Sequence, residues 1–140
     1  MPFTCATVDW IFIVRWSRFD PNDTARVLER VADARRIAKQ PLIYLSIIEA
    51  DAPVPTSRDR KALDALAGRL DEYCDAYHLV LEGDGMKHAL QRAIVSGAGL
   101  FARRTVSVYR TVDEAVARIA VGLKEQPPSL RARLGVSGLV

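Results

Sequence analysis

Four small sets of residues have types and spacings that could do chemistry. The first is Gly83-Asp84-Gly85-Met86-Lys87-His88, which follows an apolar run and opens a helical pattern. Backbone N–H groups at such a turn can receive a phosphate, as the glycine-rich turns of dinucleotide-binding domains do. His88, however, stands where that fingerprint has its third glycine, and the string falls at the third strand-to-helix turn rather than the first. The simpler reading is a tight turn in which one or both glycines need positive φ. The expectation is therefore no nucleotide cofactor.

The second set surrounds Glu82, at the end of the same apolar run, with Arg92 two turns into the following helix. An ion pair between them is expected. Glu82, Gly83, Asp84, Gly85 and Arg92 together mark a candidate ligand or partner crevice, because open α/β sheets bind at the carboxyl ends of their strands. The third set is Cys5, Cys74, His78 and His88, all the thiols and imidazoles of the chain. They form no CxxC or HExxH spacing, so neither a metal site nor a redox motif is expected. With no GxSxG elbow either, no catalytic residue is assigned. Cys74 reads as a packed core residue and His78 as a strand residue with an ordinary hydrogen bond.

The fourth set is Thr56 and Ser57 in PVPTSRDR, where a loop gives way to a helix. A hydroxyl there is an N-cap, and a phosphate there would meet the positive end of a helix dipole. Ser57 or Thr56 is expected to cap the helix, with plain capping by Ser57 the simpler account of that serine. The arginines at 26, 30, 35 and 36 could form an anion-binding face, but Glu29 and Asp33 interrupt them, and the simpler reading is a solvated helix surface. A net charge of +3 agrees, so nucleic acid is not the expected partner.

The elements that must hold these residues follow from periodicity. The chain has 140 residues, 49% hydrophobic and 26% charged, which suits one ordinary globular domain. Phe3–Val8 and the run from Thr7 to Arg18 are rich in β-branched and aromatic residues and predict a strand pair turning near Asp9. Asp20 and Pro21 start a helix with Leu28, Val31, Ala34 and Ala38 as its inward stripe, ended by Pro41. Leu42–Ile48 reads as a strand covered on both faces. Leu63, Leu66, Ala67, Leu70, Tyr73, Cys74 and Tyr77 recur at helical spacing, and Tyr77–Gly83 is the next strand. A helix from Met86 to about Ser96, a strand over Thr105–Arg110 and a last helix capped by Thr111 complete the order.

Strands alternating with helices predict an α/β fold with a mostly parallel central sheet, an N-terminal antiparallel strand pair and about four helices. Residues 1–126 are expected to form the domain, and residues 127–140, after Pro127 and Pro128 break the last helix, a flexible tail. No apolar run is long enough to span a bilayer, and no basic segment precedes the first one. A cytoplasmic location is expected.

This order, with particular strings, resembles the STAS family (sulphate transporter and anti-sigma factor antagonist) in its SpoIIAA-like branch. The likeness runs from about Thr4 to Leu123 and is carried by TCATVDWIFIVRWSRFDP and VSGAGLFARRTVSVYRTVDEAVARI. Asp113, Glu114 and Ala115 give the closing helix the acidic start followed by alanine that the family often shows. The resemblance implies a small bacterial domain with no cofactor that works by docking to a protein partner, in signalling or as a scaffold component, and that is able to self-associate. In anti-sigma antagonists the docking surface surrounds a serine at the start of the second helix, which a partner kinase phosphorylates. The family's Asp-Ser-Ser-Gly type motif does not occur here, and Thr56 and Ser57 occupy the corresponding position. The alternative reading is a small-ligand domain, binding a nucleotide or lipid near Glu82–Lys87.

Overall fold

The computed structural model describes residues 2–53, 56–83 and 106–140. Strands β1 (Phe3–Val8) and β2 (Ile11–Trp16) form an antiparallel hairpin in which Val8 faces Ile11 and Phe3 faces Trp16. Its two-residue turn needs a left-handed backbone, which Asp9 adopts at φ 55°; Asp tolerates this region better than most residues. Strands β3 (Leu42–Ile48), β4 (Cys74–Leu81) and β5 (Val106–Tyr109) then add in parallel, each beside the strand before it. The order β1-β2-β3-β4-β5 is thus the order of the chain. The fold is α/β with a mixed five-stranded sheet, as the alternating pattern predicts.

Among the described residues, two helix pairs cover the two faces. A 3-10 turn, Pro21–Asp23, capped by the Asp20 carboxylate accepting from the Asn22 N–H, leads into α1 (Thr24–Ala38). With α2 (Ser57–Leu70), α1 packs on Phe12, Val14, Trp16, Tyr44 and Tyr77. On the opposite face α3 (Val112–Leu123) and α4 (Pro127–Gly135) cover Ile11, Ile13, Leu45, Ile47 and Val80. Period-two alternation along each strand sends its residues to these two cores in turn. No helix among the described residues is long and apolar enough to cross a membrane.

Three expectations are corrected. The segment after Pro127 is not a flexible tail: it forms α4, with Leu130 and Leu134 both at 0% exposure in the second core. Pro127 and Pro128 open this helix instead of only ending the previous one, since the first helical turn lacks N–H partners that Pro would remove. Polar ties hold α4 down. Arg133 Nη2 lies 3.0 Å from the Asp9 carboxylate and Nη1 meets Glu125, while Arg131 Nε donates to Asp113 over 3.0 Å.

The second correction concerns Cys74 and Tyr77, which lie in β4 and not on the second helix. The β3–β4 register shifts between Leu42 and Ile43, so Leu42 faces Cys74 and Ile43 faces Ala76. This irregularity at Asp75 turns Cys74 and Tyr77, three residues apart, to the same core, which imitates helical spacing. Third, the buried stripe of α1 is Val27, Val31 and Ala34; Leu28 packs only at its margin, and Ile37 is 76% exposed. The predicted helix over Met86–Ser96 lies outside the described residues.

Candidate functional site

At the start of α2 the sequence TSRD builds a capping box. Thr56 is the cap: its Oγ accepts from the Asp59 N–H over 3.1 Å, and Asp59 Oδ2 accepts from the Thr56 N–H over 2.9 Å. Of the two expected candidates, Thr56 and not the favoured Ser57 is the cap. An N-cap must keep extended backbone angles while its oxygen reaches the N3 amide, and Thr56, at φ −80° and ψ 175°, meets both conditions. Ser57 is the first helical residue, exposed, and its Oγ accepts from Arg60 Nη2 over 3.1 Å. One exposed turn therefore presents a hydroxyl, the positive end of a helix dipole and a nearby guanidinium.

Glu82 leaves β4 at its C-terminal end and accepts from Arg15 Nη1 over 2.9 Å. Arg15 comes from the end of β2, with Glu49, just after β3, 3.6 Å away. Its Nε donates to the Leu139 carbonyl over 3.1 Å, so it also ties down the chain after α4. The expected partner Arg92, with Asp84 and Gly85, lies outside the described residues. Gly83 has φ 95°, the positive value that its turn position predicts. The half-buried Arg15 guanidinium serves both Glu82 and the C-terminal segment, which makes this cluster a structural clasp across three strand ends.

Beneath α2 lies a cavity of about 60 Å3 walled by Trp16, Phe19, Tyr44, Tyr77, Leu66 and Leu79, reaching Ala52 and Pro53 in the loop after β3. At about 24 cal/mol per Å3, leaving that space empty costs about 1.4 kcal/mol. Besides its tyrosines, its polar lining residues are His78 and Ser46, the latter 8% exposed in a strand that is otherwise apolar. Burial pushes the pKa of Tyr44 above the usual phenol range, and Ser46 opposes this only in part. Tyr44 thus stays neutral, while Tyr77 turns its hydroxyl to Asp71.

His78 faces the other core, with Nδ1 2.9 Å from the Tyr109 hydroxyl, the single hydrogen bond expected of it. Burial, aided by the Arg118 charge, lowers its pKa to about 4, so the ring is neutral at physiological pH. It borders a wider depression of about 500 Å3, with Trp10, Gln40, Asp75 and Arg118, by the N-terminal ends of β3 and β4. Cys74 is buried and Cys5 half-buried, its thiol pKa raised by burial. Among the described residues no three His, Cys, Asp or Glu side chains gather as metal ligands.

Sequence reasoning missed Arg15, Tyr44 and Ser46. A signal was present for two of them: Arg15 interrupts the apolar run of β2, and Ser46 interrupts LIYLSII in the central strand. Buried polar residues in such runs mark places where something other than packing is being served. Comparison of the chain with protein-family models, curated proteins and solved structures gives no match.

Proposed function

We propose that this chain is a non-catalytic protein-interaction module of the STAS type, acting in bacterial signalling or as a scaffold component, and that it docks through the N-terminal turn of α2. The observation that carries this reading is the exposed turn itself. Thr56 is committed to the capping box, while Ser57 stands at the surface with Arg60 beside it. The antiparallel first strand pair is compatible with the N-terminal strand pair on which the STAS resemblance rests.

Negative charge on Ser57 is physically tolerable in the free protein. The first turn of a helix stabilises an anion by a few tenths of a kcal/mol to ~1 kcal/mol. A partner docked on that turn must desolvate the charge unless it supplies a cation. Ser57→Asp is therefore expected to keep the wild-type melting curve and to lose a partner captured from the source cells by the wild-type chain. Ser57→Ala is expected to keep that partner. Equal capture by the two variants would remove this turn from the docking surface.

A further inference from the structure

We propose that the cavity beneath α2 is a binding site for a small apolar molecule carrying one hydrogen-bonding head, an aryl or short alkyl alcohol or carbonyl compound. Protein cores leave few voids larger than a water molecule, and those with apolar walls stay dry and accept apolar guests; one of about 150 Å3 takes benzene or xenon. At about 60 Å3 the present cavity is too small for a ring as it stands, so a single ring or a short branched chain enters by displacing part of the lining. Phe19 and Leu63, both half-buried in its lining, are the side chains free to move aside for a guest.

The head group follows from Ser46 and Tyr44. Both residues line the cavity, and each brings an O–H donor. A guest that offers an acceptor can take a hydrogen bond from one of them, whereas a pure hydrocarbon cannot. The location also suits a ligand: the cavity includes Trp16, Ile48 and Leu81, the last residues of three strands in an open parallel arrangement. Ser57 is not part of its lining, so this inference stands whether or not the α2 turn docks a protein.

The test uses phenol and toluene as probes of the full chain, read by tryptophan emission and melting temperature. A Trp10→Phe background leaves Trp16, in the cavity wall, as the sole reporter. Both probes should give a saturable change in emission and raise the melting temperature. Ala67→Met places side-chain volume in the cavity and should weaken both by more than about tenfold. Leu63→Phe fills the half-buried rim without adding a second tryptophan and serves the same purpose if the first variant does not fold. Ser46→Ala should weaken phenol by about tenfold and leave toluene unchanged. A non-saturable response to both probes, or wild-type affinity in the folded filling variant, would overturn the site. Equal loss of phenol and toluene in Ser46→Ala would overturn the hydrogen-bonding head.

Discussion

On the α1/α2 side of the sheet the inward residues include Phe12, Trp16, Tyr44 and Tyr77, whereas the α3/α4 side presents Ile11, Ile13, Leu45, Ile47 and Val80. Flat rings meet at fixed angles, as Phe12 and Tyr44 do when stacked 6.0 Å apart, and they leave gaps that branched aliphatic chains fill. The cavity lies on the aromatic side. The aliphatic side is closed by α4 and by the ion pairs of Arg131 and Arg133. One face of the sheet thus supplies rigidity, and the other keeps room for a guest at some cost in stability.

The strongest way to break this comparison is to charge the aliphatic face. Leu45 is fully buried in the central strand, and Leu45→Asp should abolish cooperative melting, because an unpaired carboxylate would enter an apolar core. A second pair of variants sharpens it. Leu134→Ala should cost about 2–5 kcal/mol in denaturant unfolding, the usual loss for a packed leucine. Ala67→Met, on the side with spare volume, should change stability by less than about 1.5 kcal/mol. Comparable losses in the two would mean that the faces do not differ in packing.

The pH dependence is a smaller effect and belongs to the aliphatic face, through His78. Its folded-state pKa, about 4, lies below the ordinary value of 6.5, so the unfolded chain binds the proton more readily. Stability from this group is fully present above pH ~6.5 and is lost as pH falls from there toward ~4. In His78→Gln the midpoint of urea unfolding should depend less on pH across that window. The smallest effect separates two neighbours on α2. Thr56→Ala should cost about 1 kcal/mol and Ser57→Ala only a few tenths, since Thr56 alone closes the capping box.

The sheet was legible in the sequence because each strand carries its own period. LIYLSII reads as a two-sided strand, and the Phe3–Val8 and Ile11–Trp16 runs, separated by Asp9 and Trp10, read as a hairpin. Two local signals misled. Pro127 and Pro128 look like a terminator, yet proline is equally suited to a first turn, and only the second core shows which role they play. Cys74 and Tyr77 kept helical spacing through an irregularity that no single-strand pattern reveals. The site was less legible still. Glu82 was found by its place at a strand end, but Arg15 lies 67 residues away in the chain and meets it only through the sheet. The cavity is a property of how rings pack, and its one sequence trace is Ser46.

The sequential strand order has a consequence for synthesis. Every pairing in the sheet joins strands that are neighbours along the chain, so each can form soon after its residues emerge. The clasp that seals the aliphatic face is of the opposite kind, with Arg15 and the Leu139 carbonyl 124 residues apart. At typical elongation rates, Tyr109 precedes Leu134 by ~1–5 s. For that interval a growing chain carries all five strands of the sheet while α4 has yet to cover its part of the aliphatic face. A chaperone that recognises exposed aliphatic surface would therefore meet this protein while it is still on the ribosome, and chains cut short before α4 would be rapidly degraded.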